Sequence, residues 1–357
     1  MIMSSLRNRV AEQRTARGWS QQELARRSGL SRTAVSAIEI ARVAPSTTAA
    51  LALAAAFDCR VEDLFSLHHA AAARSQSQWA WQPRSDPSQL WRVAIATRTL
   101  LYPTERTAVG LLPPDGVLRA GTLELNHRVD PARTLIVAGC DPAIGLLRAE
   151  VMRSGGIEVL PLIRSSRQAL DLLRQDLVHV AGVHLQDRAA PAGNKRAVRE
   201  LVGPGYTLLR VTRWQEGVVL APNLRLRTVK EAVSSKLRWV VREPGSGARH
   251  CLDELFRGRR HAVPQFDHVA SDHQAVAETI RTGWAEAGVC VRLCAAEAGL
   301  DFLAAREEDY DLCYRSDRQD DPRIQALFNA VRSHAFQSAM AALPGYSATQ
   351  TGEQLHV

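Results

Sequence analysis

The chain has 357 residues, 46% hydrophobic and 23% charged, which is enough apolar content for more than one buried core and excludes a disordered tail or linker protein. Its formal net charge of +8 is carried almost wholly by arginine, with lysine confined to Lys195, Lys230 and Lys236. That excess permits attraction to a polyanion without specifying one. No apolar run approaches the roughly 18 residues of a membrane span, and the opening MIMSSLRNRV lacks a signal peptide's apolar stretch, so neither insertion nor export is expected and the expected compartment is the cytoplasm.

In chain order, LRNRVAEQRTAR predicts a first helix over 6–17 with Leu6 and Val10 on one face, ended at Gly18. Ser20 and Glu23 form a capping-box pattern that starts a second helix at Gln21. Gly29 permits a tight turn, after which Ser31 caps a third helix, SRTAVSAIE. Pro45 and Ser46 open a fourth, and Val61 to Phe65 give a short fifth. Ala25, Leu30, Val35 and Ile38 supply the small and apolar positions that two helices need to cross closely.

The run QQELARRSGLSRTAVSAIEIARVAPSTTAALALAAAFDCRVEDLF resembles the Cro/C1, or XRE, helix-turn-helix family across residues 6–66. The resemblance implies a third helix in the major groove of an operator, with Ser31, Arg32, Thr33 and Ala37 facing base edges and Gln21 and Arg42 on phosphates. It also implies a homodimer on two half-sites. Arg32 carries the strongest expectation, since arginine can bond guanine O6 and N7 together for roughly 1–3 kcal/mol of discrimination. Relatives commonly have Asn-Gly after the glutamate of helix three. Here Ile40-Ala41 stands instead, so the loop leading to Arg42 is expected to run differently.

Residues 68–90, with Pro83 and Pro87, read as a linker between this domain (1–67) and a larger second one, with Trp79, Trp81 and Trp91 anchoring part of it. Residues 91–130 are β-rich, with a hairpin expected around Pro113-Pro114-Asp115-Gly116. From 131 to 345 strand-like runs alternate with helix starts: TLIVAGC, then Asp141-Pro142 with Pro at the first helical position; IEVLPLI, then Ser165-Ser166; LVHVAGVHL as the next strand. Later come LRWVVREPGSGARHCLDELF and SDHQAVAETIRTGWAEAGVCV, with YTLLRVTRWQEGVVL as a crossing region between. Residues 346–357 are expected to be a tail. The whole reads as an all-α five-helix domain followed by a two-lobed α/β domain.

In open α/β sheets ligands bind beyond the strand ends, where helix N-termini offer free N–H groups. The order VAGCDPAIGLL, AGVHLQD, REPGSGAR, SDHQAVAETIRTGWAEAG and DFLAAREEDYDL resembles the periplasmic-binding-protein-like domain, similar to molybdate-binding proteins, over about residues 131–316. That resemblance implies a cleft lined by Cys140, Asp141, Ser165, Ser166, Ser246, Gly247, Arg249, His273 and Tyr310, and an oxyanion effector such as molybdate or tungstate. Neutral hydroxyls suit that role. Asp141 does not, unless it caps its helix from outside the cleft, and Ser165 can equally be a cap.

Cys140, His179, His184 and His273 in an α/β setting raise an enzyme alternative. No nucleophile elbow, phosphate loop, dinucleotide fingerprint or metal-spaced His pair accompanies them, so no enzyme, cofactor or metal is expected. None of the six cysteines forms a CxxC pair, and Cys290 and Cys294 have no histidine at ligand spacing. Reduced, packed thiols are expected. The remaining alternative is a constitutive DNA binder whose α/β domain takes an organic ligand or none.

Overall fold

The computed structural model describes residues 6–40, 42–67, 77–125, 130–185, 193–257 and 268–357. It divides into two compact units, residues 1–75 and 76–357. The first nine residues of the expected linker, 68–76, lie outside the described residues.

The first unit holds β1 (Leu6–Asn8), α1 (Val10–Ala16), α2 (Gln21–Ser28), α3 (Arg32–Glu39), α4 (Thr47–Phe57), α5 (Val61–Leu64) and β2 (Phe65–Leu67). Residues 6–8 were expected inside the first helix, yet they pair antiparallel with β2. The reason is local: Asn8 Oδ1 accepts the Val10 N–H at 2.9 Å, an Asx-type bond that competes with helix and delays its start. Ser20, Ser31 and Ser46 each cap the following helix by accepting the N–H three residues on, at 3.1, 3.1 and 3.2 Å. Gly29 takes the left-handed conformation that the turn between α2 and α3 requires, φ 70°. Val10, Leu24, Val35, Ile38, Leu53, Phe57 and Leu64 close a single apolar core.

The second unit opens with a five-stranded sheet of β3 (Gln78–Trp79), β4 (Ser88–Ile95), β5 (Arg98–Pro103), β6 (Gly116–Arg119) and β7 (Thr122–Leu125), in the order β3-β5-β4-β6-β7. The expected hairpin at Pro113–Gly116 is not one. The tight turns fall at Ala96 and at Ala120-Gly121, all three with positive φ, while 113–116 crosses over so that β6 pairs with β4. Trp91 Nε1 donates to the Pro113 carbonyl at 3.0 Å and the Asp115 carboxylate accepts the Arg92 N–H at 2.6 Å. Those bonds tie the crossing to β4. Part of the expected linker is therefore sheet.

Next come β8 (Thr134–Gly139), α6 (Ile144–Gly155), β9 (Glu158–Ile163), α7 (Ser166–Arg174), β10 (Val180–Val183) and α8 (Gly193–Val202), forming lobe one. The long β11 (Tyr206–Leu220) crosses to lobe two, which holds α9 (Val229–Ser234), β12 (Trp239–Arg242), α10 (Gly247–Phe256), β13 (Val269–Ala270), α11 (His273–Arg281), β14 (Ala287–Val291) and α12 (Arg292–Glu297). The equally long β15 (Asp301–Arg315) returns to lobe one and to α13 (Pro322–Arg332) and α14 (His334–Ala341). Strand order is β13-β12-β14-β11-β15-β10-β8-β9. β8, β9 and β10 run parallel, as do β12, β13 and β14, whereas β11 and β15 pair antiparallel along nearly their full length.

The expected tail is not free. β16 (Tyr346–Ser347) and β17 (Gln354–His356) pair with β11, on the stretch that β14, paired only from Glu216 to Leu220, leaves uncovered. Such covering removes a row of open backbone donors and acceptors. Helix α6 likewise begins two residues later than expected from Pro142, because Asp141 Oδ1 accepts the Ala143 N–H at 2.9 Å and makes a turn first.

His179, one of the enzyme candidates, is structural. Its Nδ1 accepts the Ile136 N–H at 3.1 Å and its Nε2 reaches the Ala94 carbonyl at 3.1 Å, so both nitrogens tie the five-stranded sheet to β8 in the neutral form. Burial, followed by the Arg323 guanidinium, pushes its pKa down to about 3. The unfolded ring takes a proton near 6.5, so the unfolded chain binds more protons below that pH and stability falls with acidification. Between pH 6.5 and 5 this amounts to roughly 2 kcal/mol. Urea unfolding at the two pH values should show that drop in the wild type and a flattened dependence in His179→Gln.

Candidate functional site

On the first unit, the start of α3 presents Ser31, Arg32 and Thr33 as exposed side chains, with Arg42 also exposed. Ser31 Oγ is engaged as the cap, and Ala37 is half-buried with its carbonyl accepting the Arg42 N–H at 2.9 Å. Gln21 Nε2 donates to Glu39 at 2.9 Å, and Arg14 grips the same carboxylate through Nε and Nη2 at 2.6 and 3.1 Å. This network locks α1, α2 and α3 together and leaves Arg32 and Arg42 as the cations on the proposed face. Ile40, in place of the usual Asn, is 67% exposed.

In the second unit, α6, α7, α10 and α11 each follow the C-terminal end of a parallel strand, so their starts converge between the lobes. Cys140, Asp141, Ser165, Ser166, Ser246, Gly247, His273 and Tyr310 are all buried there. Cys140 Sγ lies 3.0 Å from His184 Nε2 and 4.0 Å from His273 Nε2. Ser166 Oγ accepts the His184 N–H at 3.1 Å. Tyr310 stacks on Trp214 at 4.7 Å between ring centroids, and Trp214 in turn stands edge-on to His184 at 5.1 Å.

Three expected residues have other duties. Asp141 accepts from Ala143 N–H and from Tyr346 Oη at 3.0 Å, so it caps a turn. Ser246 is used up within its own turn, accepting the Arg249 N–H and donating to the Glu243 carbonyl. Arg249 stands apart from the cluster: it pairs with Asp253 at 2.9 Å and lines a separate opening with Arg167 and His250.

Sequence reasoning missed the charges on the two crossing strands. Glu216 and Arg306 face each other across β11 and β15, and Trp214 faces Glu308. Arg306 bonds Glu216 through Nε and Nη2 at 3.0 and 2.8 Å, reaches Glu308 at 2.5 Å, and also holds Glu254 of α10 at 2.9 Å. His184 Nδ1 then donates to Glu308 Oε2 at 3.0 Å. The available signal was glutamate and arginine inside strands that otherwise read as buried.

Burial and these neighbours set the charges. Burial and nearby Glu308 push Glu216 up to about 7, and burial pushes Asp141 up to about 6 against two hydrogen bonds. Burial works against an ionised Glu308, but His184 and Arg306 override it and hold the group below its usual value. Burial likewise opposes a charged His184, yet Cys140 and Glu308 raise it well above the ordinary range. Burial, with Arg242 and His184 beside it, keeps His273 neutral.

The lobes meet directly. Against Cys140, Asp141 and His273 only about 20 Å³ remains, room for about one water, while a larger cleft of about 1160 Å³ opens between Ile163, Arg164 and Gln168 on one side and Glu243, Asp272 and Gln274 on the other. Ser165 Oγ, Trp214 Nε1, Arg242 Nη1 and His273 Nδ1 are buried at this junction with no hydrogen-bond partner among the described residues. Gly247 packs so closely on His184 that a Cβ there would stand 2.5 Å from the His184 carbonyl oxygen and closer still to its ring.

A family model described as PBP superfamily domain matches residues 148–332, which is 185 of the 357 residues. The chain belongs to this family. A helix-turn-helix model matches residues 10–64 of the same chain, so a DNA-binding domain precedes the PBP superfamily domain. Both matched families are binding domains rather than enzymes. The protein YvgK of Bacillus subtilis (strain 168) is 24% identical over 232 residues, 63% of this chain and 74% of YvgK. PhnD1 from Prochlorococcus marinus (MIT 9301), solved with methylphosphonate, is 11% identical over 63% of this chain and 93% of its own, TM-score 0.44. An ABC-type phosphate transport receptor from Vibrio cholerae is 11% identical over 60% of this chain and 99% of its own, TM-score 0.42. No helix of the described residues is long and apolar enough to cross a membrane.

The Gly247 contact makes a direct test of lobe closure in the PBP superfamily domain. Gly247→Ala should lose about 1–3 kcal/mol of stability, the usual cost of overpacking a close contact. The measurement is urea unfolding followed by tryptophan fluorescence, and an unchanged midpoint would mean the lobes are not held together at this point.

Proposed function

We propose that the protein is a transcription regulator that grips operator DNA through α3 and whose affinity for that DNA is set by a small oxyanion held between the two lobes. The observation that carries the ligand half is the pair of buried, unpartnered donors Ser165 Oγ and Arg242 Nη1 at a junction of helix starts. A buried donor without a partner costs about 1–3 kcal/mol. An anion supplies acceptor oxygens for such donors, and Ser165 itself stands at the N-terminus of α7.

On this reading Ser166 and Gly247 shape the wall, Cys140, His273 and Tyr310 line it, and Asp141 caps from behind. Arg249 belongs to the outer opening. The junction as it stands leaves no room for an oxyanion against Cys140 and His273, so the effector-bound arrangement is one in which the lobes part there to admit it. An effector that prefers one lobe arrangement shifts the population of that arrangement and with it the fit of a dimer to two half-sites. A regulator of this kind works in the compartment that holds the DNA.

The test is thermal unfolding of the full chain against molybdate, tungstate, sulfate, phosphate and methylphosphonate, followed by DNA binding on a duplex selected from a random library. One oxyanion should raise stability by about 2.7 kcal/mol at a hundredfold excess over its Kd and change DNA affinity in parallel. Arg242→Ala should abolish that response and leave effector-free DNA binding intact. Arg32→Ala should do the reverse, with roughly 1–3 kcal/mol of base discrimination lost. Stability and DNA affinity that ignore every anion would sink the proposal and leave a constitutive DNA binder.

A further inference from the structure

We infer that Cys140, His184 and His273 form a site for a thiophilic divalent cation, zinc being the type case, that ties lobe one to lobe two. One donor atom from each lies within 4.8 Å of the others, and all three residues are buried. Zinc with sulfur at 2.3 Å and nitrogen at 2.0–2.1 Å in a tetrahedron sets each sulfur–nitrogen edge at about 3.5 Å. The two edges from Cys140 Sγ, 3.0 Å to His184 Nε2 and 4.0 Å to His273 Nε2, bracket that length, and the third, between the two histidines, lies within 4.8 Å.

The surroundings fit a ligand set as well as the distances do. A metal-bound histidine usually donates its other ring nitrogen to a carboxylate, which fixes the ring and the tautomer. His184 does this, Nδ1 donating to Glu308 Oε2 at 3.0 Å, and Glu308 is itself held by Arg306. His273 is fully buried at the start of α11, and its Nδ1 has no partner among the described residues, so packing alone gives no account of this imidazole. The neighbouring group of His184, Glu216 and Glu308 is also close enough for an ion, but the Arg306 guanidinium already fills it.

Three protein ligands leave one of four positions open. The site goes beyond the oxyanion reading and does not need it, because the ion is held by groups other than Ser165 and Arg242. Cys140 and His184 come from lobe one and His273 from lobe two, so binding the ion holds the lobes in register.

The probe is cobalt(II) titrated into the full chain after chelator treatment, with zinc in competition. Expected is one cobalt per chain, displaced by zinc, with the sulfur-to-cobalt charge-transfer absorption of a thiolate ligand. Cys140→Ser should remove that absorption, His273→Gln should weaken binding, and Glu308→Gln should weaken it 10- to 100-fold as an orienting partner. Circular dichroism checks that each variant is folded. As a readout that needs no variant, zinc should protect the Cys140 thiol from alkylation, mapped by mass spectrometry. Cobalt binding without the charge-transfer band, no stoichiometric binding, or alkylation of Cys140 at the same rate with and without zinc would overturn the site. A chain that binds no metal but answers an oxyanion on DNA loses this site and keeps the regulator reading. A chain that binds metal but ignores every anion does the opposite.

Discussion

Four ionisable groups buried at the crossing of β11 and β15 must be satisfied at once, and that constraint organises the rest of the second unit. Arg306 stands between Glu216 and Glu308, and Glu308 passes its remaining oxygen to His184. Buried charges are tolerated only when paired and hydrogen-bonded, and removing one partner strands the others at a cost of about 3–5 kcal/mol. The arrangement therefore sets where His184 points. Because Arg306 also binds Glu254 and the Gly247 carbonyl of α10, it sets how lobe two meets the crossing strands.

Closeness at this junction is made by small residues. Gly139 and Gly182 leave space for the Tyr310 hydroxyl, and Gly247 lets α10 approach His184. With side chains at those positions the aromatic wall of Trp214, Tyr310 and Tyr346 could not sit against the helix starts. The same closeness leaves almost no empty volume. A ligand that is to touch Cys140 and His273 needs the lobes to part there, and on the proposed reading that lets it choose between two arrangements.

The first unit follows a simpler logic. Three serine caps and one left-handed glycine fix where helices start and stop, and the Arg14–Glu39–Gln21 network fixes how three of them cross. Arg32 and Arg42 are left exposed, on the face proposed to meet DNA.

What the sequence determined alone was local or periodic. Serine caps, glycine turns and the alternation of apolar strands with helix starts depend on neighbours within a few residues, so the helix-turn-helix, the two-lobed α/β domain and most of the helix starts at the cleft were legible. Helix periodicity failed at residues 6–8, where the Asn8 bond delays the helix and the chain pairs with β2, and the tail reading failed at 346–347 and 354–356, which pair with the part of β11 that β14 leaves open. Only the tertiary structure decided the chemistry of the junction. Cys140 meets His184 across 44 positions and His273 across 133, and His184 meets Glu308 across 124. No spacing rule spans such separations, since the crossing strands and the parallel strand ends, not the chain between, bring those side chains together.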